Sequence, residues 1–183
     1  MENIAFIGLG IMGVPMCLNL LKAGYPVNPS TRSHTHSSIP EAGAHLCDSP
    51  RAAAEKADII ILIVNDTPNV EQVLFGENGV IEANLQGKVI VDMSTISPVA
   101  TKTFAQRVQA AGADYLDAPV SGGDVGAQAG TLSIMVGGSE SAFQRVLPLF
   151  QVMGKNITHV GDVGAGQITK MANQVIVAQS IQA

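Results

Sequence analysis

The 183-residue sequence predicts a doubly wound α/β fold, built on a parallel β-sheet, with a long helix at its end. Three observations support this prediction. Short apolar runs alternate with longer segments of helical spacing, which is the pattern of β-α-β units. Most of these runs are continuous rather than alternating in polarity, as strands buried on both faces of a parallel sheet are. Residues 167–183 carry apolar side chains at helical spacing and contain no turn signal.

Five apolar runs are predicted to be strands, and one further strand is expected to be short or irregular. Pro26 and Pro29 lie where the second strand of such a fold should run, and proline removes a donor from the hydrogen-bond ladder. Residues 33–38 are polar and are predicted to form a loop. The five predicted strands are Ile4–Ile7, Ile59–Val64, Val89–Val91, Tyr115–Leu116 and Leu132–Val136.

Helices are predicted between the strands, and several of them have recognisable ends. Ser97 is an N-cap candidate followed by proline at the first helical position, and Ser139 can cap a later helix. Gly24 and Gly112 can close two helices. The predicted helices are Met12–Ala23, Pro50–Lys56, Val70–Leu74, Pro98–Ala111, Glu140–Val152 and Gln167–Ala183.

The composition excludes several classes of function. A net charge of -5 and an aromatic content of 4% argue against nucleic-acid binding, which needs cations and stacking platforms. No apolar run approaches the ~20 residues that span a bilayer. The two cysteines and four histidines have no metal-ligand spacing, so we assign no metal. We therefore expect a cytoplasmic protein without nucleic-acid or membrane partners.

A glycine-rich loop follows the first predicted strand and opens the first helix. It reads Gly8-Leu9-Gly10-Ile11-Met12-Gly13, the G-x-G-x-x-G pattern of dinucleotide-binding sites. The first glycine allows a tight turn, the second leaves room for a pyrophosphate, and the third lets the helix pack close to the sheet. Because strand, loop and helix are in register, the loop predicts NAD or NADP binding in a Rossmann-type domain.

The residues after the second strand bear on the choice of cofactor. An acidic residue about 20 positions after the loop binds the ribose 2′-hydroxyl in many NAD sites. No Asp or Glu stands between Lys22 and Pro40, and Thr31, Arg32 and Ser33 occupy that region. An arginine fork can pair with a 2′-phosphate, so this segment favours NADP, with NAD still possible. The alternative is that Arg32 stacks on adenine or points to solvent.

Three further segments carry a pattern shared with a known family. They are 92–98 (DMSTISP), 117–123 (DAPVSGG) and 164–174 (GAGQITKMANQ). Together with the glycine loop, their order and spacing resemble those of the β-hydroxyacid dehydrogenases over essentially the whole chain. The resemblance implies a Rossmann-type domain over residues 1–162. It also implies that residues 163–183 begin an interdomain connector helix leading to an all-helical C-terminal domain, which this chain lacks.

The resemblance also implies roles for individual residues. Lys170 matches the catalytic lysine of the family, which protonates the oxygen of the reduced carbonyl. Independently of the resemblance, we interpret Asp117 as structural, with its carboxylate pairing to backbone groups or capping a helix. The implied cofactor contacts beyond the glycine loop are Thr31, Arg32, Val64, Asn65 and Thr95, and the implied substrate contacts are Ser121, Gly122, Gly123, Asn173 and Gln174.

Segments 75–79 and 116–138 favour the branch of the family that reduces tartronate semialdehyde to D-glycerate with NAD(P)H. Two enzyme alternatives stay open: oxidation of 3-hydroxyisobutyrate, and reduction of glyoxylate or succinic semialdehyde. An alternative of another class is a non-catalytic dinucleotide-binding module, which would have no need of Lys170. The substrate is in each enzyme case a small carboxylate. The charged content of 14% is below the usual ~25%, so we expect part of the surface to be covered, which the absent helical domain would explain. We also expect a homo-oligomer.

Overall fold

The computed structural model describes residues 1–32 and 36–183, and it confirms the α/β fold. The strands are β1 Ile4–Ile7, β2 Val27–Ser30, β3 Ile59–Leu62, β4 Val89–Asp92, β5 Asp114–Asp117, β6 Val120–Ser121, β7 Leu132–Gly137 and β8 Gly154–Gly161. The α-helices are α1 Gly13–Lys22, α2 Ser38–Glu41, α3 Pro50–Glu55, α4 Thr67–Phe75, α5 Pro98–Ala110, α6 Gly123–Ala129, α7 Glu140–Met153 and α8 Ala165–Gln182. A 3₁₀ turn covers Val80–Glu82.

The sheet has the strand order β2-β1-β3-β4-β5-β7-β6, and β8 pairs with β7. From β2 to β5 all neighbours are parallel, so the carboxyl ends of these five strands meet at one edge. The sheet as a whole is mixed, because β7 runs antiparallel to β5 and β6. The sequence did not predict β6, β8, α2, α6 or the 3₁₀ turn.

Apolar side chains fill both faces of the sheet. Along β1, Ile4 and Phe6 belong to one buried cluster, with α1 and α7, while Ala5 and Ile7 belong to the other, with α3, α4 and α5. Consecutive residues of one strand point to opposite faces, so a strand covered on both sides must be apolar throughout. This confirms the interpretation of the continuous apolar runs.

The second strand was predicted to be short or irregular; it is short, with four residues, but it is not irregular. β2 pairs with β1 in unbroken register over four residues, although Pro29 lies within it. The carbonyl of Pro29 accepts a hydrogen bond from the Cys47 N–H at 2.8 Å, so its peptide groups face away from β1. Because β2 is the edge strand, no ladder donor is lost there. A loop was predicted over residues 33–38. Residues 33–35 of it lie outside the described residues, and Ser38 is the first residue of α2.

The predicted helix ends agree with the structure at most positions. The hydroxyls of Ser97 and Ser139 accept hydrogen bonds from the backbone N–H groups of the first turns of α5 and α7. Gly24 and Gly112 follow the last turns of α1 and α5. Among the described residues, no helix is both long and apolar enough to cross a membrane.

Candidate active site

The glycine-rich loop connects β1 to α1 at the carboxyl edge of the sheet. A Cβ atom on Gly8 would lie 2.1 Å from the carbonyl oxygen of Ile63, and one on Gly13 would lie 1.9 Å from the carbonyl oxygen of Gly8. Neither distance is compatible with a side chain. A Cβ atom on Gly10 would meet nothing within 4 Å, so the loop leaves open space there. These are the three roles that a dinucleotide loop requires of its glycines.

A cleft of about 240 Å³ lies beside this loop. The cleft contains seven of the predicted cofactor residues: Gly8, Leu9, Gly10, Thr31, Arg32, Val64 and Asn65. The other four lie outside its lining. Ile11 is 81% exposed beyond the loop, Met12 and Gly13 lie at the start of α1, and Thr95 is exposed after β4. Small, open and partly polar surfaces of this kind suit a dinucleotide that lies across a sheet edge.

Arg32 is held at the wall of the cleft by a residue that the sequence did not single out. Its guanidinium donates a hydrogen bond to the Asn69 side-chain oxygen, and the Asn69 amide in turn donates to the Asp66 carboxylate. The Asn69 backbone N–H also donates to Asp66 and is the main cause that lowers the pKa of that carboxyl. A charged, exposed guanidinium therefore lies where the ribose of a bound dinucleotide is expected.

A buried polar network underlies the end of β4. The Tyr115 hydroxyl and the Ser94 N–H both donate hydrogen bonds at 2.9 Å to Asp92, which is fully buried. Burial raises the pKa of Asp92 to about 6, against the opposing effect of these donors. The Ser94 hydroxyl accepts a hydrogen bond from the Val64 N–H at 2.9 Å, which joins the ends of β3 and β4.

Asp117 anchors the start of α8, as the sequence predicted for a structural carboxylate. Its two oxygens accept hydrogen bonds from the N–H groups of Gly164 at 2.7 Å and Gln167 at 2.8 Å. Burial raises the pKa of Asp117, while these backbone donors oppose the rise. A carboxylate at a helix N-terminus also interacts favourably with the helix dipole. The anchor fixes the position of the helix that carries Lys170.

Lys170 lies one turn beyond this anchor and is only 6% exposed. Within the described residues, its ammonium group has no hydrogen-bond or ion-pair partner. Burial lowers the pKa of Lys170, because it penalises the charged form. The side chain is packed in the protein while its ammonium group still reaches solvent, and lysines whose pKa is lowered in this way concentrate at functional sites.

The predicted substrate residues come from two parts of the chain, helix α8 and the segment from β6 to the start of α6. The Asn173 amide on α8 donates a hydrogen bond to the Ser121 hydroxyl on β6 at 3.4 Å. The same amide donates to the Gln174 side-chain oxygen, and Gln174 itself is exposed. Gly122 and Gly123 are exposed at the start of α6, with φ of 137° and 62°. The Ser121 hydroxyl and the Asn173 amide thus meet at the carboxyl edge, on the helix that also carries Lys170, and such groups can bind a small carboxylate and a carbonyl oxygen.

Two residues of this region had no predicted role. Asn69 had no sequence signal, because it pairs with Arg32 across 37 positions. Gln167 stands inside the 164–174 motif, yet its contacts lie 71 and 73 positions away, in the loop after β4. The part of the chain that the structure describes contains no group of three side chains that could hold a metal ion.

The comparisons with known proteins agree with this geometry. The family model described as the NAD binding domain of 6-phosphogluconate dehydrogenase matches residues 3–161. Fold and match together define an NAD(P)-binding domain of an oxidoreductase. The chain belongs to the β-hydroxyacid dehydrogenase family.

Individual relatives are similar over almost the whole chain. The 2-hydroxy-3-oxopropionate reductase of Escherichia coli K12 is 56% identical over 181 residues, which are 99% of this chain and 62% of that protein. The structure of Mycobacterium tuberculosis 3-hydroxyisobutyrate dehydrogenase with L-serine superposes with a TM-score of 0.92 at 36% identity, over 97% of this chain and 60% of that one. The structure of Psf3 in complex with NADP+ superposes with a TM-score of 0.89 at 29% identity, over 98% of this chain and 68% of that one. The chain thus spans about three fifths of the length of the first two.

Proposed function

We propose that this protein acts in the NADPH-dependent reduction of tartronate semialdehyde to D-glycerate. The observation that carries the proposal is the Lys170 side chain, which is 6% exposed and without a partner among the described residues, one helical turn before the Asn173–Ser121 pair and at the same sheet edge as the dinucleotide cleft. A non-catalytic dinucleotide-binding module would have no use for such an amine. The 56% identity to 2-hydroxy-3-oxopropionate reductase supports this substrate over other small aldehyde acids.

The cofactor preference rests on Arg32. NAD and NADP both suit the glycine loop, and the matched family model and the Psf3 complex represent one cofactor each. The Asn69 contact holds the Arg32 guanidinium at the cleft wall, where a planar fork can bind a 2′-phosphate. The open space at Gly10 and the cleft volume accommodate the pyrophosphate. We therefore assign NADPH as the preferred cofactor and NADH as the weaker one.

The residues of this chain supply the proton and the hydrogen bonds that hold the substrate. When bound, the reduced nicotinamide supplies a hydride to the carbonyl carbon. The Lys170 ammonium donates a hydrogen bond to the carbonyl oxygen, stabilises the developing alkoxide and gives it a proton, which leaves a neutral amine. The lowered pKa of Lys170 favours this transfer. Ser121, the backbone of Gly122 and Gly123, and the amides of Asn173 and Gln174 bind the carboxylate and hydroxyl groups of the substrate.

The proposal assigns residues 1–162 to the dinucleotide-binding domain and residues 163–183 to the connector helix. This division is supported by the length of the relatives, of which the matched part makes up 62% and 60%. In this arrangement the all-helical domain of the full-length protein closes the cleft and excludes water from Lys170. The 183-residue chain is expected to bind the dinucleotide but to reduce the aldehyde poorly.

A second candidate reaction is the oxidation of 3-hydroxyisobutyrate, which the structural similarity at a TM-score of 0.92 favours. Both reactions would use the same Lys170 and the same carboxylate contacts. The ratio of kcat/KM for tartronate semialdehyde to that for 3-hydroxyisobutyrate, measured on one preparation, decides between them.

The function is tested by Lys170→Ala in the intact full-length protein. The kcat for tartronate semialdehyde reduction should fall roughly 10²–10⁴-fold, because a general acid is lost, while the Kd for NADPH stays nearly unchanged. Lys155→Ala, which removes an exposed lysine from β8, is the matched control and should keep full turnover. A Lys170→Ala protein that retains most of its turnover would show that the proton comes from another group.

A further inference from the structure

Gln167 makes two side-chain contacts that the proposed reaction does not yet use. It is fully buried in the first turn of α8, one turn before Lys170. Its Nε2 donates a hydrogen bond to the Ser94 carbonyl at 2.8 Å, and its Oε1 accepts one from the Ile96 N–H at 3.1 Å. These two peptide groups lie on either side of Thr95. One amide therefore fixes both backbone neighbours of Thr95.

The same residue is fixed at its own backbone. The Gln167 N–H donates to the Asp117 carboxylate at 2.8 Å, so Gln167 joins the end of β5, the loop after β4 and the start of α8. Thr95 is exposed, whereas Ser94 and Ile96 are buried. Removing the Gln167 amide would leave the buried Ser94 carbonyl and the buried Ile96 N–H without this partner. Losing a hydrogen bond at a buried group costs more free energy than losing one at a group that water can reach. The loop would move to find new partners, and Thr95 would move with it.

The strand order places Thr95 at the far end of the proposed dinucleotide. Arg32 follows β2, the glycine loop follows β1, and Thr95 follows β4. From β1 to β4 there are two strand intervals, about 10 Å at the usual spacing of a sheet. A dinucleotide whose 2′-phosphate end lies at Arg32 therefore directs its nicotinamide end towards Thr95.

We infer that Gln167 is a positioning residue. It holds Thr95 against the nicotinamide, and this contact aligns the nicotinamide with Lys170. This inference rests on the proposed function, because it concerns the same cofactor and the same lysine. The inference goes beyond the proposed function because it assigns the placement of the nicotinamide end of the dinucleotide to the side-chain amide of Gln167. A merely structural Gln167 would instead stabilise the fold without distinguishing one end of the dinucleotide from the other.

The test uses the 183-residue chain and two probes that differ only at the nicotinamide. NADPH carries it, and 2′-phospho-ADP-ribose lacks it. In Gln167→Met the Kd for NADPH should rise about tenfold, while the Kd for 2′-phospho-ADP-ribose should change less than twofold. Gln179→Met, an exposed change on the same helix, is the matched control and should leave both values unchanged. Equal changes for the two probes, or an unchanged Kd for NADPH, would overturn the inference.

Gln167→Glu provides a second test that does not depend on the first variant folding. A protonated carboxyl group can donate to Ser94 and accept from Ile96, as the amide does, whereas a carboxylate can only accept. The affinity of this variant for NADPH, relative to the unchanged chain, should therefore recover as the pH is lowered from 8 to 5. A ratio that is flat with pH would contradict the role of the donor. If the unchanged chain bound neither probe, the proposed function would fail first, and this inference with it.

Discussion

At the scale of single residues, the site combines groups whose environments differ sharply. Lys170 is buried without a partner among the described residues, so its pKa is lowered. Arg32 is exposed but oriented by Asn69. Asp117 is buried and bound to backbone N–H groups. These environments suit Lys170 to proton transfer, Arg32 to the binding of a phosphate, and Asp117 to the placement of a helix.

The cofactor preference is tested by Arg32→Ala. Loss of a charge-assisted contact to the 2′-phosphate should weaken NADPH binding by about 1.5–3 kcal/mol, whereas NADH, which lacks that phosphate, should be affected much less. Fluorescence titration of both cofactors gives the two dissociation constants. Arg107→Ala, whose guanidinium lies over the Phe75 ring, is a control away from the cleft. Equal weakening of NADPH and NADH would refute the assignment of Arg32.

The buried Asp92 predicts a pH dependence of stability. Its pKa in the folded protein is about 6, above its ordinary value of 3.8, because burial penalises the carboxylate. The folded state therefore binds more protons than the unfolded state between these values. The contribution of Asp92 to the free energy of unfolding should therefore fall by on the order of 2 kcal/mol as the pH rises from 4 to 6.

Asp92→Asn removes this titration and keeps groups that can bind Ser94 and Tyr115. Urea unfolding of both proteins at several pH values between 4 and 7 measures the effect. The difference between their free energies of unfolding should shift towards the variant as the pH rises. Parallel profiles would mean that Asp92 titrates near its ordinary value.

At the scale of elements, the parts of the site differ in how far the sequence predicts them. The glycine loop and the 164–174 motif are local patterns, so their elements and their order could be predicted. The bonds of Gln167 to the loop after β4 join residues more than 70 positions apart, and no local pattern indicates them. Strand β8 was missed because it has no continuous apolar run: its residues are exposed or half-buried after Gly154.

The packing of α1 on the sheet depends on Gly13. A Cβ atom there would lie 1.9 Å from the Gly8 carbonyl oxygen, so Gly13→Ala must move the helix away from the loop. Overpacking of this kind typically costs about 1–3 kcal/mol of stability. We expect a lower urea midpoint with an unchanged slope. Gly10→Ala is the control, because its Cβ would meet open space; a similar loss in both variants would contradict the steric argument.

At the scale of the whole molecule, one edge of the sheet carries every proposed functional residue. The loops after β2, β1, β3 and β4 hold the cofactor residues, and β6, the start of α6 and α8 hold the substrate residues and Lys170. Parallel strands place their carboxyl ends together, and ligands of such folds bind there. The expected homo-oligomer stays a prediction. The exposed large apolar side chains of α8 in this chain, which favour self-association, are Ile168, Met171, Val175, Ile176, Val177 and Ile181.

A dinucleotide is expected to lie across this edge, against the glycine loop. This placement is tested most directly by the Kd of NADPH for the 183-residue chain and for its Gly10→Glu variant. A side chain at Gly10 enters open space in the protein, so the fold and its melting temperature should be unchanged. The same side chain fills the place of the pyrophosphate and repels it, so NADPH binding should be lost. A folded Gly10→Glu protein that binds NADPH as tightly as the unchanged chain would contradict the account.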